Sequence, residues 1–302
     1  MGHTVRAGAV TPDAATSSPR STPMTTKWQR LCIPSHSTTM GAYAGGMLEL
    51  QRVTKSYGRL EVLHETSFTL RRGEICGYLG PNGSGKSTTV KILAGLLLPT
   101  QGEVLLDGRP LTGDLEEYKR RLGYVPEEAQ VYRHLSGQEY LGLVGGLRGM
   151  EAARLQPRIR GLLEAFGLRG DADVPLDEYS KGMRQKVLLA AALLHDPEIL
   201  ILDEPFSGLD ITTVLLVREL FAALAARGRI ILITSHELEL MEQLCERVMV
   251  VYRGRIVADD RVANLRSLTA LPTLAAIFAE LTEQRDLKGR AADLATLLSG
   301  ER

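Results

Sequence analysis

The stretch Ile75-Cys-Gly-Tyr-Leu-Gly-Pro-Asn-Gly-Ser-Gly-Lys-Ser-Thr88 decides the fold. Ile75–Leu79 is an apolar run that reads as a buried strand. A glycine-rich turn follows, and Lys86, Ser87 and Thr88 open the apolar stretch Val90–Leu98, which reads as a helix. Strand, turn and helix in that order carry the pattern G-x-x-x-x-G-K-[ST] from Gly80 to Ser87. A nucleoside triphosphate is densely negative, and the N–H groups at a helix start point toward such a charge. Gly80, Gly83 and Gly85, interleaved with Pro81, Asn82 and Ser84, allow backbone approaches that a Cβ would block. Lys86 can reach the β- and γ-phosphates, and the Ser87 hydroxyl can hold Mg²⁺. A glycine-rich turn with an accidental lysine is the rival explanation. The strand before it and the helix after it argue against that.

Bulk composition fits this start. The chain has 302 residues, of which 44% are hydrophobic, enough for one large domain with appendages. Basic and acidic residues balance at 36 each, so net charge gives no pointer to nucleic acid. The three cysteines, at 32, 76 and 245, lack metal-ligand spacing and imply a reducing compartment without a disulfide framework. No uncharged apolar run approaches the ~20 residues of a membrane helix.

Residues 1–46 are rich in Ser, Thr, Pro, Gly and Ala and show no apolar periodicity. They read as a disordered extension or an over-called start rather than a transit peptide, because no Arg-studded amphipathic helix is visible. The fold is expected to begin at Met47. Residues 48–53 alternate as an antiparallel strand does, and Phe68 and Leu70 belong to a second such run. Tyr57 between them could stack on a base or cap the sheet. Val104–Leu106 and Leu122–Val125 are further short strands. Ser136-Gly-Gln-Glu139 is a capping box, and a second helix is expected near Pro157, with Ile159, Leu162, Leu163 and Phe166 on its apolar face. Residues 128–178 therefore read as a largely helical insertion, followed by Ser180 as the N-cap of an apolar helix that includes Val187–Leu194.

Ile199–Leu202 is a continuous apolar run, as expected for a parallel strand buried on both faces, and it ends in Asp203-Glu204. Two acids at such an edge are costly unless partnered. Beside a phosphate loop, the first suits the Mg²⁺ shell and the second a general base. Ile230–Ile233 is another core strand, and it leads to His236 at the edge where open α/β sheets bind ligands. Val248–Tyr252, Arg253-Gly254 and Ile256-Val257 read as a closing hairpin.

In this order the motifs resemble the nucleotide-binding subunits of ABC transporters, over residues 47–260. The resemblance implies a P-loop NTPase fold: a RecA-like α/β core, an antiparallel β subdomain and an inserted α-helical subdomain over about 128–186. It implies ATP and Mg²⁺, with Gly80–Thr88 on the phosphates, Tyr57 on adenine, and Ser87, Asp203 and Glu127 toward the metal. Glu204, His236 and Lys86 become the catalytic set. Ser180-Lys181-Gly182-Met183 matches the family signature that acts across a dimer, and Ser207-Gly208-Leu209-Asp210 its D-loop. Two motifs depart from the pattern: Glu127 stands where glutamine is usual, and in the signature Lys181 and Met183 replace Gly and Gln. The signature variant and the segment Leu274–Thr282 are similar to bacterial exporters whose ATPase is a separate polypeptide. The implied partners are a polytopic membrane permease and a second ATP-binding subunit, at the cytoplasmic face of the membrane, with no nucleic acid. A soluble ABC-type ATPase of translation or DNA repair is the alternative; one phosphate loop and no sustained heptads speak against it. Residues 261–302 are expected to form a helical extension, including a short helix over Ala291–Leu298.

Overall fold

A computed structural model describes residues 47–111, 115–128 and 130–282. The order is β1 (Met47–Tyr57), β2 (Leu60–Arg71), β3 (Ile75–Leu79), α1 (Lys86–Leu93), β4 (Gln101–Leu106), β5 (Arg109–Pro110), α2 (Leu115–Arg121) and β6 (Leu122–Val125). There follow α3 (Gly137–Leu147), α4 (Ala152–Ala165), α5 (Lys181–Leu193), β7 (Ile199–Asp203), α6 (Ile211–Ala226), β8 (Ile230–Thr234) and α7 (Leu238–Leu244). The hairpin β9 (Arg247–Tyr252) and β10 (Arg255–Arg261) precedes α8 (Val262–Thr269) and α9 (Leu274–Leu281).

The apolar runs without alternation become the central sheet, ordered β10-β9-β3-β8-β7-β6. Its pairings are parallel from β9 through β6, and β10 closes it antiparallel. Every residue of β3, β7 and β8 is buried. The period of two still operates, but between two cores rather than between core and water. Ile75, Leu79, Leu200, Leu202, Ile231 and Ile233 face the helical side. Cys76, Tyr78, Ile199, Ile201, Ile230 and Leu232 face α1 and the antiparallel sheet β2-β1-β4-β5. That second sheet is built from the alternating runs, with Leu48, Leu50, Phe68 and Leu70 turned inward.

Two helices depart from expectation. The stretch Val90–Leu98 is helical only to Leu93, because Gly95 takes φ +65° and ends it. Gly95 N–H donates to the Ile92 carbonyl and Leu96 N–H to the Lys91 carbonyl, a paired C-terminal closure that only a left-handed residue permits. Leu96 and Leu98 are left exposed. The second insertion helix starts at Ala152 rather than at Pro157, which sits inside it. Leu155, Ile159 and Leu163 share its buried face, and that packing outweighs one missing backbone donor. The capping box at Ser136 is present: Ser136 Oγ accepts from Glu139 N–H at 3.2 Å, and Glu139 Oε2 accepts from Ser136 N–H at 2.9 Å.

The α8–α9 pair packs into the main core through Leu265, Leu274 and Ile277, all fully buried. Residues 1–46 and Ala291–Leu298 lie outside the described residues. Among the described residues no single helix is long and apolar enough to cross a membrane.

One ion cluster ties the layers together. Arg121 donates to both carboxylate oxygens of Glu198, at 3.0 and 2.9 Å, and Arg72 adds a third bond at 2.8 Å. The Arg121 hydrogen bonds, against the opposing effect of burial and with Arg72 adding to them, hold the Glu198 pKa down at about 2. A depressed carboxylate stabilises the fold above its unfolded value and loses that contribution as pH falls from 4.5 to about 2. Glu198→Gln should therefore lower stability by about 1 kcal/mol at neutral pH. It should also flatten the loss of stability across that acid window, which urea unfolding at stepped pH will measure.

Candidate active site

The parallel ladder β3–β8–β7 puts three loop starts side by side at one edge: Gly80 after β3, Ser235 after β8 and Glu204 after β7. α1 begins there without a side-chain cap, its N-cap Gly85 at φ +105°. The helices α3, α5 and α6 are each capped by a serine or aspartate side chain. The first-turn N–H groups of α1 thus face the loop Gly80–Gly85. Gly83 takes φ +77°, and a Cβ there would meet no atom within 4 Å, so the loop is open on that side. A cavity of about 340 Å³ lies against it, lined by Gly83, Lys86, Ser87, Glu127, Asp203 and Glu204 among others.

Lys86 folds over the loop, its Nζ 2.6 Å from the Gly80 carbonyl and 3.2 Å from that of Pro81. Burial lowers its pKa, while Glu204, Asp203 and Glu127 oppose that shift. Asp203 is only 3% exposed. Burial raises its pKa first, the Thr234 hydrogen bond opposes this, and Glu127 and Glu204 add to the rise. Thr234 serves both acids: its hydroxyl donates to Asp203 Oδ1 and accepts from the Glu204 N–H at 3.2 Å. Glu204 needs that support because its backbone sits at φ +51°, a left-handed conformation that costs a non-glycine residue about 1–3 kcal/mol. Its Oε2 lies 2.9 Å from His236 Nδ1, and the histidine is itself exposed.

A wider cleft of about 980 Å³ adjoins this cavity, with Asn82, Glu127, Glu204 and His236 facing Lys181 and Arg184. Ser180 caps α5, its Oγ accepting from Met183 N–H at 3.2 Å. One face of α5 is seamed to the loop after Glu204. Lys181 Nζ reaches Ser207 Oγ at 2.7 Å, Gln185 Nε2 reaches the Pro205 carbonyl at 3.0 Å, and Lys186 pairs with Asp210 at 2.9 Å. The Lys186 bond holds the Asp210 carboxyl well below the usual range, and Asp210 also caps α6 through Thr213. Gly182 sits so close to the Gly208 carbonyl that a Cβ would collide with it. Leu209 packs beside this seam, partly buried against the main core.

The structure therefore gathers Asn82, Gly83, Gly85–Thr88, Glu127, Asp203, Glu204 and His236 around adjoining cavities, with Gly80, Pro81 and Ser84 behind the lining. Ser180, Gly182 and Met183 do not line either one, and Tyr57 stands half exposed at the end of β1 with Lys55 Nζ 5.4 Å from its ring centre. Thr234, Gln185 and Val62 belong to the site or its support, and sequence reading gave them no role. The donor set fits a magnesium nucleotide: an uncapped helix start, an open glycine cradle, one lysine, and hard oxygen donors at Ser87, Asp203 and Glu127.

A family model described as ABC transporter matches residues 63–207. The Nod factor export ATP-binding protein I of Ralstonia nicotianae is 34% identical over 254 residues, 80% of this chain and 79% of that one. The "Probable multidrug ABC transporter ATP-binding protein YbhF" of Escherichia coli is 34% identical over 82% of this chain, and the match spans 44% of that protein. A solved ATP-binding subunit of an ABC transporter superposes with TM-score 0.73 at 32% identity, over 78% of this chain and 99% of that one. A bacterial ABC transporter cassette solved as a dimer gives TM-score 0.67 at 25% identity, over 71% and 98%. The chain belongs to the ATP-binding proteins of the ABC transporter family, a family of nucleotide-binding ATPases.

The raised Asp203 pKa has a sign that can be tested. Between the unfolded and folded values the folded state holds the extra proton, so ionisation at higher pH destabilises the nucleotide-free fold. Asp203→Asn should raise the melting point of nucleotide-free protein, and by more at pH 8 than at pH 4, as calorimetry will show.

Proposed function

We propose that this chain binds and hydrolyses Mg²⁺-ATP as one half of a head-to-tail pair, and so drives export through a separate membrane-spanning partner. The observation that carries this is the meeting, at one sheet edge, of the uncapped α1 start and Lys86 with the acid pair after β7. The family relationship supports the transport role, and names such as Nod factor export support the outward direction. A related cassette solved as a dimer with ADP and Pi supports the pairing.

In this reading the α1 N–H groups and Lys86 bind the phosphates, and Tyr57 takes the base. Ser87, Asp203 and Glu127 would hold Mg²⁺, which, when bound, supplies positive charge against the phosphate oxygens. Glu204 accepts the proton of the attacking water, and Thr234 fixes its backbone so that the carboxylate stays aimed. His236, 2.9 Å from Glu204, orients that carboxylate and can reach the terminal phosphate. The Ser180 end of α5 presents its donors to the nucleotide held by the second copy. The wide cleft beside Glu127 and Arg184 is the surface offered to the membrane partner. The protein would then sit peripherally, on the cytoplasmic face of the membrane.

Glu204→Gln should keep ATP binding, slow hydrolysis by about a hundredfold or more, and accumulate a dimer in ATP. Gel filtration with light scattering and a phosphate-release assay will read both. Lys86→Ala should weaken ATP binding by about tenfold or more, as an equilibrium titration will measure. Full hydrolysis by a strict monomer with Ser180 replaced would overturn the paired mechanism.

A further inference from the structure

We propose that the Arg253–Gly254 turn between β9 and β10 is a positioning element for the phosphate loop, setting its height against β2 and hence its grip on a nucleoside triphosphate. Gly254 N–H donates to the Ser84 carbonyl at 3.0 Å. The Gly254 carbonyl accepts from His64 N–H at 2.9 Å and from the Thr66 hydroxyl at 3.3 Å. One peptide residue thus bridges the loop to β2. The third side of this triangle is direct contact: a Cβ on Gly85 would stand 2.6 Å from Leu63 Cδ2. Val62, next to Leu63, lines the phosphate cavity.

The turn leaves little room for another residue. Gly254 takes φ +72°, and a Cβ on it would collide with the Val62 carbonyl and stand 2.7 Å from His64 Cδ2. The same hairpin also backs the other end of the loop, because a Cβ on Gly80 would collide with the Val251 carbonyl. Ser84 is 2% exposed, and its Oγ has no hydrogen-bond partner among the described residues. Among the described residues its N–H bonds within the loop, to the Pro81 carbonyl at 3.2 Å. The carbonyl held by Gly254 is therefore, among the described residues, the hydrogen bond that ties Ser84 to structure outside the loop. Asp203 and Glu204 stand on β7 and its following loop, on the far side of β8 from this hairpin. Loosening the turn changes binding while leaving the acids in place.

This inference rests on the nucleotide reading above. The test measures ATP affinity and steady-state hydrolysis for wild type, Gly254→Ala, Thr66→Val and Thr66→Ser. Affinity should fall about tenfold in G254A and about threefold in T66V, and stay near wild type in T66S, where the hydroxyl remains. The kcat of each should hold within about twofold, so that KM alone moves. If G254A does not fold, the T66V and T66S pair decides. T66V and G254A binding ATP as wild type does, or losing kcat at unchanged affinity, would overturn the brace. Wild-type protein that fails to bind ATP would instead overturn the nucleotide reading itself.

Discussion

The hydrogen-bonded ladder through β3, β8 and β7 is the constraint on which the rest depends. Parallel pairing makes neighbouring strands end at the same edge, so whatever follows them is brought together without further design. Burial on both faces fixes the register, since a slip of one residue would send Ile201 toward the helices and Leu202 toward α1. The glycine loop, the acid pair and His236 are neighbours for this reason, although long stretches of chain separate them.

The same edge concentrates charge in a poorly solvated place. Buried Asp203 and half-buried Glu204 lie near Lys86, with exposed Glu127 at the rim, and burial works against the charge of both Asp203 and Lys86. Thr234 limits the damage by donating to one acid and receiving the backbone N–H of the next. The site is thus held in a conformation that its own residues resist, which is the usual condition of groups arranged for a charged ligand.

Local features were legible in the sequence. The phosphate loop, the buried run before Asp203, the capping box at Ser136 and the cap at Ser180 each depend on residues within a few positions. Helix limits were harder. Apolar character carried the reading through Leu98, whereas Gly95 alone stops the helix; Pro157 suggested a start, whereas Leu155 and Ile159 pack as one face. Contacts between distant segments left no local trace. Nothing near Thr234 shows that its hydroxyl will orient an acid on another strand, and Gly254 reads only as a hairpin turn. The seam between α5 and residues 205–210 is likewise invisible until the chain is folded.

That seam has a mechanical corollary. Lys181, Gln185 and Lys186 rivet the head of α5 to the very loop that leaves Glu204, while the next turn of the helix is sunk in the core through Val187, Leu188 and Leu189. A tilt of this helix drags the acid's downstream anchor along with it. The head of α5 and the loop that follows the catalytic-edge acid are thus joined by side-chain contacts rather than through the sheet, a short mechanical path between two segments far apart in the chain.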